Sequence, residues 1–186
     1  MRIISGFLKG KKIKYLKNKI TRPLKDSVKE NIFNILRHSN LIKIKIDKSN
    51  VLDLYSGVGS FGIECISRGA SKVTFVDKDE NASKTLKENL ISLSILNKTK
   101  VIESEIEIEL KKKREEKFNL FFLDPPFADN SFIENLKIIK RLKIFSVNHL
   151  IIIHREKNSN DDLKKIFQNI ITKNYGRSKI IFGAFN

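Results

Sequence analysis

From residue 51 onward, short apolar runs alternate with longer polar stretches in which apolar residues recur at helical spacing. Runs at 51–55, 72–76, 100–103, 118–123 and 150–154 predict strands, and segments 61–68, 80–94, 106–113, 132–141 and 161–169 predict the helices between them. Strands joined through helices pair in parallel, so this order predicts an open sheet covered on both faces. The last two apolar runs, 170–175 and 179–185, have no helix between them and meet at Gly176, which predicts an antiparallel hairpin. The expectation is a doubly wound, mostly parallel α/β sheet closed by a C-terminal hairpin.

The first 45 residues read differently. Segments 2–4 and 11–15 predict two short strands around Gly6 and Gly10, and Pro23 precedes a helix expected at 25–36 with Val28, Ile32, Phe33 and Leu36 on one face. Segment 43–50 is the joint, which divides the chain into an N-terminal extension at 1–45 and a core domain at 46–186. Charge adds to this picture. The chain carries 37 Lys and Arg against 21 Asp and Glu, a net charge of +16, and fourteen of those bases but only three acids fall within the first 50 residues. That asymmetry predicts an arm that grips a polyanion, with Lys9, Lys11, Lys12, Lys14, Arg22 and Lys25 as candidate phosphate contacts. A merely solvated basic surface is the plainer alternative.

At 186 residues the chain can bury a core without staples. Cys65, the sole cysteine, excludes an intrachain disulfide, and His38, His149 and His154 lack metal-ligand spacing. No apolar run is long enough for a bilayer and the start lacks a signal-like apolar region, so the expectation is a cytoplasmic monomer without metal.

The run Val51-Leu52-Asp53-Leu54-Tyr55-Ser56-Gly57-Val58-Gly59-Ser60-Phe61-Gly62 is a strand that turns through glycines into a helix. This build brings backbone amides close to a ligand, and Asp77, twenty residues after Gly57, ends the next strand where a carboxylate can accept from both hydroxyls of a ribose. Asp53 separates the two cofactor classes that use such a loop. Beside a pyrophosphate its charge would repel, whereas beside the ammonium and sulfonium of S-adenosylmethionine it would attract.

The run Phe118-Asn119-Leu120-Phe121-Phe122-Leu123 is almost wholly apolar and ends in Asp124-Pro125-Pro126-Phe127. Two prolines hold the turn rigid and project the Asp124 carboxylate and the backbone carbonyls at the strand's C-terminal end, where open α/β sheets bind ligands. The chemistry that fits is methylation of a base amine. Its lone pair is delocalised into the ring, so acceptors aimed at its two hydrogens, here Asp124 and the Pro125 carbonyl, would localise that pair while Phe127 stacks on the base.

The glycine loop with Asp53 and Asp77 resembles the first two motifs of class I methyltransferases, which implies their Rossmann-like fold. Methyltransferases of DNA adenine, RNA guanine and protein glutamine share the Asp124 to Phe127 ending. Arg2-Ile3-Ile4-Ser5-Gly6, Thr21-Arg22-Pro23, Phe33-Asn34-Ile35-Leu36, Leu52-Asp53-Leu54-Tyr55-Ser56-Gly57 and Asp124-Pro125-Pro126-Phe127 together resemble the bacterial RsmD family. The likeness spans residues 2–176 and implies methylation of a guanine N2 in 16S ribosomal RNA, naked or in an assembling small subunit. It further implies S-adenosylmethionine contacts from Asp53, Tyr55, Ser56, Gly57, Gly59, Gly62, Asp77, Lys78, Glu105 and Ile106, and a catalytic group of Asp124, Pro125, Pro126 and Phe127. The chain departs from that pattern at Glu105, longer than the usual Asp or Asn, and after Pro23, where Lys25 and Lys29 are expected to replace arginine contacts to phosphate. An adenine N6 methyltransferase and a non-catalytic RNA-binding module remain as alternatives. About 45 residues before the core leave no room for a DNA-reading module, which favours RNA.

Overall fold

The computed structural model describes residues 1–16 and 24–186; Thr21, Arg22 and Pro23 lie outside the described residues. The elements follow in the order α1 (Asp26–His38), β1 (Asn50–Leu54), α2 (Ser60–Ser67), β2 (Lys72–Asp77), α3 (Glu80–Ser92), β3 (Thr99–Glu103), α4 (Ile106–Lys111), β4 (Phe118–Leu123), α5 (Phe132–Leu142), β5 (Phe145–Glu156), β6 (Asn169–Tyr175) and β7 (Ser178–Ala184). They build one seven-stranded sheet in the order β3-β2-β1-β4-β5-β7-β6. The first five strands are parallel, and β7 runs antiparallel to both β5 and β6.

Alternation along the strands sends side chains to two cores, one on each face of the sheet. Val51, Phe75, Leu120, Phe122 and Ile152 pack with α1, α2 and α3, while Leu52, Leu54, Phe121, Leu123 and Ile153 pack with α4 and α5. The chain leaves β1 toward β2 and β3 and then returns to β4 on β1's other side. Strand order therefore reverses between β1 and β4, which opens a crevice at their C-terminal ends.

The N-terminal segment is built into the first core. Ile3, Leu8, Ile13, Leu24, Val28, Ile32, Phe33 and Leu36 are all buried there. Phe33 of α1, Phe61 of α2 and Phe122 of β4 stack in a row, with centroids 5.1 and 3.9 Å apart. The fully buried Glu64 of α2 accepts from the Ile4 and Ser5 amides at 2.8 and 2.9 Å and from Arg68 Nε at 2.8 Å. Lys29 Nζ lies 3.9 Å from the same carboxylate.

Two expectations need correction. Residues 2–4 and 11–15 do not form strands; a single bridge joins Arg2 to Lys12. The two segments meet antiparallel, with the Ile3 and Ile13 amides on the Lys11 and Met1 carbonyls, but the Ile4 and Ser5 amides turn to Glu64, the Lys14 amide to Asn89 and the Phe7 amide to Ser67, so the pairing stops at that one bridge. Gly6, at φ +84°, sits so close to α2 that a Cβ would lie 1.8 Å from the Ser67 carbonyl oxygen. Segment 161–169 is not a helix either. Leu163, Ile166 and Phe167 have helical spacing and are buried, but only one turn forms, with the Ile166 and Phe167 amides on the Leu163 carbonyl, before Gln168 bonds to Ala184 of β7.

Candidate active site

The loop after β1 closes on the crevice. Asp53 is fully buried and its Oδ2 accepts from the Gly62 amide at 2.9 Å, which ties the end of β1 to the first turn of α2. Burial pushes the Asp53 carboxyl well above the usual carboxylate range, with Asp124 and Asp77 adding repulsion against the stabilising Gly62 N–H. A bound cation would favour its ionised form. Gly59 caps α2 in the left-handed region at φ +82°, and a Cβ on Gly62 would lie 2.3 Å from the Phe75 ring. Asp77, at the end of β2, accepts from the Gly57 amide at 2.7 Å and the Asp79 amide at 2.9 Å. It thereby holds the glycine loop at the height of its own half-exposed carboxylate. The buried Ser56 Oγ has no partner among the described residues.

The remaining expected cofactor residues occupy different settings. Glu105 is exposed at the start of α4 and pairs with Lys78 across 3.2 Å, on the rim beside the end of β3, and Ile106 is buried beneath them. Tyr55 adopts φ +58° and turns its hydroxyl to α5, where it accepts from Asn135 Nδ2 at 3.0 Å.

Asp124 follows β4 directly. The register that pairs Leu123 with Ile153 sets it beside His154, whose Nδ1 lies 2.8 Å from Asp124 Oδ1. Pro125 is buried, while Phe127 is 37% exposed and meets the His154 ring edge-on at 5.8 Å. The Pro126 carbonyl accepts from the Asp129 amide at 2.8 Å and from Arg155 Nη1 at 3.2 Å; among the described residues no hydrogen bond reaches the Pro125 carbonyl. That leaves one carboxylate oxygen and one carbonyl as open acceptors beside an exposed aromatic ring.

Arg155 locks this turn from below. Its guanidinium is buried, donates to the Asp129 carbonyl at 3.2 Å and Asn130 Oδ1 at 3.3 Å, pairs with Asp161 at 3.2 Å and stacks 4.6 Å over Phe132. Sequence reasoning missed both His154 and Arg155. Their signal was present, since two polar residues end the apolar run Leu150-Ile151-Ile152-Ile153 and a doubly wound order sets that strand next to β4.

The candidate phosphate contacts are spread along the molecule. Lys9, Lys11, Lys12, Lys14 and Lys25 are exposed, and Arg22 lies outside the described residues. Lys9 and Lys11 flank the turn that rests on Ser67, at the end of α2 remote from Asp124, and Lys14 pairs with Glu88 of α3 at 3.0 Å. Lys25 sits just before α1. Lys29 does not replace a phosphate contact as expected. Its side chain is fully buried, and its ammonium donates to the Arg2 carbonyl and to Ser60 Oγ, both at 3.1 Å.

A family model described as Conserved hypothetical protein 95 matches residues 1–184. Ribosomal RNA small subunit methyltransferase D of Haemophilus influenzae is 33% identical over 84% of this chain and 79% of its own length. The chain belongs to this family, the RsmD family. YlbH of Bacillus subtilis is 35% identical over 84% of the chain and 83% of its own length. The solved structure of the putative methyltransferase yhhF from Escherichia coli superposes with a TM-score of 0.84 at 26% identity, covering 100% of this chain and 98% of that one. The fold of this RsmD-family protein is that of the class I methyltransferases, whose methyl donor is S-adenosylmethionine.

The donor set fits that cofactor. Asp53 would face its cationic methionine end and Asp77 its ribose, with the buried Ser56 hydroxyl, which has no partner among the described residues, and Gly57 beside them. Replacing Asp77 with Ala removes charge-assisted hydrogen bonds worth about 1.5–3 kcal/mol each and releases Gly57. We expect S-adenosylmethionine affinity, measured by calorimetry, to fall at least ~10-fold with the fold intact. Unchanged affinity would mean that the cofactor binds elsewhere.

Proposed function

We infer that this protein methylates the exocyclic N2 of a guanine in 16S ribosomal RNA, as a monomer in the cytoplasm, on naked RNA or an assembling small subunit. The observation that carries this reading is the Asp124 turn, with a carboxylate, a free Pro125 carbonyl and the Phe127 ring grouped at the switch point beside the glycine loop. When bound, the cofactor supplies an electrophilic methyl whose bonding pair stays on sulfur as it transfers.

The protein's own groups prepare the amine. Two acceptors draw its hydrogens into their plane and keep the lone pair from the ring, and Phe127 stacks on the base that has left its helix. Once the N–C bond forms, the nitrogen is cationic and sheds a proton, for which the Asp124 carboxylate is the adjacent acceptor. No base of raised pKa is required beforehand. In support of an RNA-binding role for the arm, Lys9, Lys11, Lys12, Lys14 and Lys25 are all exposed.

Transfer of labelled methyl to purified 16S RNA and to assembled subunits, followed by nucleoside mass spectrometry, tests the reading. N2-methylguanosine is the expected product; N6-methyladenosine or no transfer to either substrate overturns it. The arm has its own test. Replacing Lys9, Lys11 and Lys12 with Ala should raise the KM for RNA and flatten the salt slope of binding by roughly two to three units, at about 0.7–0.9 per lost phosphate contact. An unaltered slope would assign the RNA to another surface.

A further inference from the structure

Among the described residues, the Asp124 carboxylate touches one ionisable side chain, which the chemistry above does not use. His154 stands one residue past the last β4–β5 pair, so the parallel register delivers it to Asp124. The contact is short, 2.8 Å, and sheltered: the two side chains are 11% and 23% exposed, with the Phe127 ring against the imidazole edge. An ionised carboxylate oxygen can only accept, so the hydrogen in this contact belongs to Nδ1. Arg155, the next residue, faces the opposite side of the sheet and holds the Pro126 and Asp129 carbonyls. β5 thus grips the turn by its acid and by its backbone through adjacent positions.

We propose that His154 is a positioning residue for methyl transfer: its Nδ1–H occupies Oδ1 of Asp124 and leaves Oδ2 as the acceptor for the substrate amine. The inference rests on the reading of Asp124 as that acceptor. Torsion about the terminal bond of an aspartate is broad, and an unpartnered carboxylate would sample orientations that miss the amine. The His154 donor selects one. Because the effect is one of orientation, it belongs to the transfer step rather than to binding of either substrate.

Two measurements test it on the full-length protein. The first is nitrogen NMR of protein labelled at its three histidines, with His154 assigned from His154→Asn. Neutral His154 should carry its proton on Nδ1, and in Asp124→Ala it should move to the Nε2 tautomer; a bare Nδ1 in the wild type overturns the proposal. The second is single-turnover methylation by His154→Leu and His154→Asn. Losing a donor to a charged group predicts a drop in kcat on the order of 10- to 100-fold for Leu. Asn, whose amide N–H lies at the Nδ1 position, should stay within about threefold of wild type if the hydrogen bond alone matters. KM for RNA, cofactor affinity and Tm should hold in both. Equal losses in the two variants, or no loss in either, overturn it. A wild type that methylates neither RNA substrate while its His154 proton sits on Nδ1 would discard the assigned substrate and leave the pairing supported.

Discussion

Asp124→Asn lowers kcat by on the order of 10²–10³, the scale set by removing one preorganised active-site partner. The substitution keeps size and one acceptor oxygen, so the loss comes from charge and from the direction of the remaining groups. When the amide oxygen takes the His154 Nδ1–H, the amide NH2 faces the substrate amine, donor against donor. The product cation also loses its neighbouring negative charge. The KM for RNA and the Kd for S-adenosylmethionine should change far less, the pattern of an interaction made mostly in the transition state. Single-turnover methylation of 16S RNA-containing particles by wild type and variant reads this directly, and a fully active variant would falsify the mechanism.

The second large effect is on stability. Arg155→Met removes a buried guanidinium that serves the Pro126 and Asp129 carbonyls, Asn130 and Asp161, the last with a side chain only 4% exposed. Removing one partner of a buried pair costs about 3–5 kcal/mol, toward the lower end here because Lys179 remains 3.7 Å from the Asp161 carboxylate. For a chain of this length that corresponds to a fall in Tm of roughly 6–20 °C. Pairing Arg155→Met with Asp161→Leu should recover part of the loss, because the buried carboxylate that has lost its main partner is then gone. Thermal melts followed by circular dichroism decide the matter, and a single variant within about 2 °C of wild type would show that the clamp is not holding the turn.

The parallel core was legible because β1, β2 and β4 are short, mostly apolar runs set between polar segments, and 118–123 coincides with β4 end to end. The cofactor loop was legible for a similar reason, since its glycines and Asp77 are local features at fixed offsets. What stayed hidden depends on pairing across the sheet. His154 gains its role only from the register of β5 on β4, and Arg155 only from the return of the 124–131 turn over β5. Burial of Lys29 was hidden likewise, because its two oxygen partners and Glu64 come from elements distant in sequence. The expected helix at 161–169 failed where helical spacing without length was satisfied by a single buried turn.

The Glu64 carboxylate also bears on how the protein is made. Ile4 and Ser5 find their acceptor 60 and 59 residues later in the chain. At 5–20 residues per second, synthesis must run for roughly 3–12 s before that partner exists. During that interval Ile3, Leu8 and Ile13 have no core to enter, and the basic segment that carries them emerges next to ribosomal RNA. Attachment of the arm is therefore a long-range step of folding, and a slow stretch of translation before Glu64 would lengthen the exposure of the part of the chain with the densest positive charge.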